Sequence, residues 1–99
     1  MEDIVRDLTK GNALTRERAA NIASHLDNPS DEVLNALRAN IAHVDWHVRR
    51  ASALALGALE RETALPDIEP LTKDRAFGVR TDVGKLIDEL RQNQQHKEP

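Results

Sequence analysis

The chain predicts an all-α fold, a short α-solenoid of helical hairpins, and three observations carry that reading. One helical template recurs three times at a spacing just above thirty residues. Apolar residues in the segments between the copies again fall on single helical faces. Turn signals separate the segments so closely that successive helices must pack antiparallel.

The template is clearest at Val48, Ser52, Ala55, Leu56 and Leu59. These positions fall within an arc of about 100° on a helix of 3.6 residues per turn. Val79, Val83, Leu86, Ile87 and Leu90 repeat it downstream, and Thr15, Ala19, Ile22, Ala23 and Leu26 repeat it upstream. An arginine follows the first position each time: Arg16, Arg49 and Arg80. An internal period of this length is the signature of stacked helical repeats.

The elements follow in order. A first helix over 2–10 carries Ile4, Val5 and Leu8 and stops at Gly11, a common terminator. The upstream template gives a second helix over 14–26. Ser30 caps a third over 31–43, with Asp31 and Glu32 in its first turn and Leu34, Leu37, Ile41 and Val44 along one face. The central template spans 46–60. A fifth helix over 65–73 has Leu65, Ile68 and Leu71 as its stripe. Pro66 suits its first turn, but Pro70 removes a backbone donor and clashes one turn back, so this helix should be short or irregular. The last template spans 77–92. Residues 1–91 therefore read as one repeat domain, and 92–99 as a flexible polar tail. Gly57 and Gly84 lie inside helices, which implies close approach of a neighbouring helix. The expected core is Leu34, Leu37, Ile41, Leu54, Ala55, Leu56, Leu59, Ile68, Leu86, Ile87 and Leu90.

Composition removes several classes of function. The chain has no cysteine, which rules out disulfides, zinc-thiolate sites and a thiol nucleophile. The start, Met1-Glu2-Asp3, is unlike a signal peptide, and the longest near-apolar stretch, Ala51 to Leu59, is far below the ~20 residues of a membrane span. A cytoplasmic protein without membrane association is expected. With 17 acids against 14 bases, the charge balance opposes a dedicated nucleic-acid binder. No Gly-rich phosphate loop or H-E-x-x-H motif is present, and no carboxylate sits in an apolar segment that would raise its pKa for acid–base work. A non-enzyme with no cofactor is expected. His43 and His47 lie four apart around Asp45, but the junction breaks the helix between them and no third ligand follows from spacing, so no metal site is assigned.

Asp45-Trp46-His47-Val48-Arg49-Arg50-Ala51, then Ala55-Leu56-Gly57 and Leu59, then Ala64-Leu65-Pro66, Ile68, Pro70-Leu71 and Lys73-Asp74, resemble the short HEAT-like repeats of the phycobilin-lyase type. The likeness is clearest over 45–91. It implies a right-handed stack of about three hairpins, five or six antiparallel helices in all, of the kind that serves as a protein-binding scaffold. It transfers no activity, because function must be argued from sites.

Within that frame the arginine after each template start has two readings: a row of guanidiniums that clamps an anion, or an internal ladder that pairs with acids such as Asp45 or Asp74. The ladder is the simpler one. Arg50 points elsewhere, toward solvent beside Trp46 or His47, and a Trp–Arg pair is typical of interface hot spots. Phe77 recurs at the place of Trp46, which suits an aromatic that seals neighbouring repeats. The ridge of second helices should expose Asn35, Arg38 and Ala39, then Glu69 and Thr72. The candidate partner-binding residues are thus Asn35, Arg38, Trp46, His47, Arg50 and Glu69. The function expected is a non-catalytic protein–protein interaction scaffold or adaptor whose partner is another protein. The alternative is phosphate-backbone binding through Arg16, Arg18, Arg49, Arg50 and Arg80. Polar outer faces on the end helices suggest a monomer or weak dimer.

Overall fold

Local capping sets where most helices begin. In the computed structural model, which describes residues 2–96, α1 spans Glu2–Lys10, α2 Ala13–Ala23, α3 Asp31–Asn40 and α4 Trp46–Glu60. Asn12, Ser30 and Asp45 sit in extended backbone before α2, α3 and α4. Their side chains accept backbone N–H bonds from Thr15, Val33 and His47 at 2.9, 3.2 and 2.8 Å. Each thereby satisfies a donor that the helix itself leaves open. After α4 the chain turns at Arg61, which has a positive φ of 53°. It then passes through a 3-10 turn over Arg61–Ala64, a one-turn helix α5 over Leu65–Ile68, and a second 3-10 turn over Glu69–Lys73. This is the irregularity expected of Pro66 and Pro70. Helix α6 spans Phe77–His96 and passes straight through Gln92, so the segment 92–96 is helical where the sequence suggests the start of a tail. Residues 97–99 lie outside the described residues.

The helices form a slab of 43 × 31 × 16 Å, two helices deep. Helix α4 is the centre: α2 and α6 flank it in its own layer, and α3 and α5 back it. The fold is a short helical solenoid, with no strand among the described residues. Its core is aliphatic, with Leu8, Val33, Leu37, Val48, Leu56, Ile68, Val79, Val83, Ile87 and Leu90 buried. Of the residues expected inside, Leu37, Ala55, Leu56, Ile68, Ile87 and Leu90 are buried, and Leu34, Ile41, Leu54, Leu59 and Leu86 are half-buried. Gly57 lies at the crossing of α4 and α6, where a Cβ would come within 2.3 Å of Leu86 Cδ2. A side chain there would require Leu86 to move aside.

Three expectations need correction. Ile22 is 58% exposed, because α2 turns its alanines Ala19, Ala20 and Ala23 inward and leaves the larger side chain outside. Val44 does not extend the face of α3; that helix ends at Asn40, and Val44 lies in the following loop, 81% exposed. Gly84 has nothing within 4 Å of where a Cβ would stand, so close helix approach does not explain it.

Candidate functional site

The starts of α2, α4 and α6 lie along one edge of the slab. Leu14 and Ala13 of α2 line a shallow cleft with Asp45 and His47 at the start of α4. Trp46 covers Gly78 in the first turn of α6, so closely that a Cβ on Gly78 would lie 2.8 Å from the indole. Adjacent starts mean that the three helices run parallel, as repeated units in a stack must.

Arg49 organises the middle of this edge. Its Nε and Nη2 donate to the two carboxylate oxygens of Asp74 at 2.7 and 2.9 Å, and its Nη1 donates to the carbonyls of His43 and Val44 at 2.9 Å each. Both side chains are almost wholly buried. Asp74 also accepts the Ala76 N–H at 2.9 Å. The Arg49 guanidinium first, and then the Ala76 N–H, hold the Asp74 carboxyl below its ordinary pKa against the opposing effect of burial. The loop explains Val44: with its carbonyl drawn inward to Arg49, its side chain is turned to the surface.

Arg16 binds the same kinds of group one repeat earlier, with the roles of its nitrogens exchanged. Its Nε donates to the Gly11 carbonyl at 2.7 Å, Nη2 to the Thr9 carbonyl at 2.8 Å, and Nη1 to Asn40 Oδ1 at 2.9 Å. Arg80 keeps only part of it. Its Nη1 donates to the Asp74 carbonyl at 2.6 Å, and its guanidinium carbon lies 5.9 Å from the centre of the Phe77 ring. The arginine ladder is thus internal at its first two rungs, and of the two acids the sequence offers Arg49, Asp45 and Asp74, it is Asp74 that the guanidinium binds.

The other candidates divide. Trp46 is 37% exposed and stacked on His47, with ring centres 3.8 Å apart. His47 Nδ1 meets Asp45 Oδ1 at 3.1 Å, while His43 Nδ1 accepts the Asp45 N–H at 3.0 Å. Both histidines are thereby tied to Asp45, and among the described residues no three His, Asp or Glu side chains cluster as metal ligands would. Asp45 is held below its ordinary pKa chiefly by the His47 backbone N–H. Arg50 is not free in solvent as expected: it is half-buried, with Nε 3.4 Å from Asp82 of α6. Arg38 is held between Asn35, Glu60 and Asp67 at 3.0, 2.5 and 3.2 Å, and Glu69 pairs with Arg91. Of the sequence candidates, the structure brings Trp46 and His47 together on the edge, and Asn35 and Arg38 on the opposite ridge.

Sequence reasoning missed the apolar residues around that pair. Leu14 is 52% exposed and Phe77 73% exposed, against the expectation that an aromatic at this place seals the repeats. Trp46 does so by covering Gly78; Phe77 does not. Both aromatics stand at the first residue of their helices, and a residue there can project off the end of the stack. That position was the available signal.

Stacked hairpins with a repeated arginine fastener define a helical-repeat protein of the α-solenoid class. The family described as HEAT repeats matches residues 3–88, and the chain belongs to it. The match is to the repeat family at large and carries no phycobilin-lyase subtype. No curated protein and no solved structure matches the chain. No helix among the described residues is long and apolar enough to cross a membrane.

Proposed function

We propose that the chain is a non-catalytic interaction module, a cytoplasmic monomer or weak dimer that holds another protein against the edge where α2, α4 and α6 begin. The observation that carries this reading is the row of exposed apolar side chains there, Leu14, Trp46 and Phe77, with Val44 beside them. Contiguous apolar exposure, rather than a single apolar side chain, marks interaction surfaces. Trp46 and His47 are assigned to the contact. Asn35, Arg38, Arg50 and Glu69 are engaged within the fold and give the surrounding surface its shape. The same engagement weighs against the nucleic-acid alternative, since Arg16, Arg49 and Arg50 already have partners.

Photo-crosslinking from the full chain in its native cells tests this. A photoreactive residue in place of His47 should yield discrete protein adducts that survive nuclease treatment. The same residue in place of Lys85, exposed on α6 away from the edge, should not. Adducts that vanish with nuclease, or that form equally from both positions, would overturn the reading.

A further inference from the structure

The most distinctive surface feature is an open cleft of about 510 Å³ between the α3–α4 loop and the turn before α6. Its lining combines Ala42, His43 and Val44 on one side with Lys73 and Arg75 on the other, over a floor made by Arg49 and Asp74. The floor is electrically closed, because the guanidinium and carboxylate neutralise each other in a buried bidentate pair. The rim is not. Among the described residues Lys73 and Arg75 form no hydrogen bond or salt bridge, although both are exposed. Arg75 acts only through space on Asp74, which Arg49 already occupies, and no other carboxylate lines the cleft. Arg80, one turn into α6, holds only a carbonyl and the face of Phe77. His43 adds a donor: its Nδ1 accepts the Asp45 N–H, which leaves the ring proton on Nε2. Lys73 and Arg75 therefore share the cleft with Val44, the most exposed large apolar side chain described, while Arg80 stands over Phe77 outside its lining. This local excess belongs to a chain whose net charge is −3.

We propose that this cleft docks an acidic peptide segment of the partner protein, with carboxylates on Lys73 and Arg75 and an apolar side chain seated against Val44. The proposal rests on the interaction-module reading and names the chemistry of the partner. Charge complementarity selects the acidic ligand. The exposed Val44 selects peptide over a nucleic-acid backbone, which would use the cations and leave Val44 unmet. The cations are also too few to track successive phosphates along a strand.

The test is fluorescence anisotropy on the full chain with a labelled peptide alternating Glu with Leu and Phe. Companion peptides carry Lys for every Glu, or Ser for every Leu and Phe; the other ligands are a single-stranded oligonucleotide and phosphatidylserine vesicles. The acidic apolar peptide should bind saturably and best of the five. Arg75→Glu and Val44→Asp should each weaken it by about tenfold or more, while Lys85→Glu should stay within about twofold. Both cleft positions are exposed, and thermal melts should confirm that the variants fold. The proposal is wrong if the peptide shows no saturable binding below about 1 mM, or if the cleft variants bind it as the wild type does. It is equally wrong if a companion peptide, the oligonucleotide or the vesicles bind as well or better. Persistence of the His47-position protein adducts alongside any of these failures would remove the acidic-peptide assignment alone. Their loss as well would remove the interaction module itself.

Discussion

Two arginines in equivalent places, Arg16 and Arg49, fasten successive repeats to the same kinds of group with exchanged nitrogens and different chemistry. Each draws in two carbonyls from the chain just before its own helix, for Arg49 both in the loop and for Arg16 one in the loop and one in the last turn of α1. Each also reaches one polar side chain farther along the chain. For Arg49 that side chain is the Asp74 carboxylate, which accepts two guanidinium N–H bonds and a backbone one. For Arg16 it is the Asn40 amide, which accepts from the arginine and donates its own Nδ2–H to the Leu8 carbonyl at 2.8 Å. An ionised carboxylate could not make that second bond, because it has no proton to donate. The chain uses the amide where the joint must bridge a cation and a carbonyl, and the carboxylate where every neighbouring group is a donor. The repeat conserves the fastening arginine and lets its partner follow the local hydrogen-bond inventory.

Removal of the arginine should hurt the charged joint most. Arg49→Ala leaves a buried carboxylate without its cation and two carbonyls without a donor, and should cost about 3 kcal/mol or more in urea unfolding. Arg16→Ala strands only neutral groups, in a partly buried setting, and should cost about 1–2 kcal/mol. A third expectation sharpens the contrast by pH. The Asp74 pKa lies below its ordinary value of 3.8, so its contribution is complete above that value and fades as pH falls through the lowered one. Asp74→Asn should therefore flatten the acid side of the melting-temperature profile below about pH 4. Arg16→Ala should leave that side unchanged in shape, since its Asn40 partner does not titrate. The smallest effect is expected from Arg50→Ala, which loses a long, partly exposed ion pair and should stay within about 0.5 kcal/mol of wild type in the same assay.

Much of this was legible in the sequence because it depends on spacing. The boundaries of α1 and α4 and the broken helix around Pro70 follow from period and caps, and the sequence narrows the partner of Arg49 to Asp45 or Asp74, of which the fold uses Asp74. What failed depends on size and on distant partners. Periodicity places Ile22 and Ala23 on one face but cannot say that the alanines pack and the isoleucine stays out. Val44 fits the stripe of α3 by count, yet Asn40 ends that helix and Arg49 pins the loop. Arg38 looked free because Glu60 and Asp67, its partners, lie on the next hairpin, and no local pattern joins them to it. The apolar edge is half visible in the sequence: the Trp46–Arg50 pair marks Trp46, whereas the recurrence of an aromatic at Phe77 suggests a seal.

A double-mutant cycle on Arg49→Ala and Asp74→Ala, followed by urea unfolding, tests the fastener most directly. If the two side chains form one buried joint, the single variants should each lose most of the stability that the double variant loses, with a coupling of about 2 kcal/mol or more. Additive losses, with coupling below about 0.5 kcal/mol, would mean that the pair does not hold the repeats together and that Arg49 is free to serve a ligand.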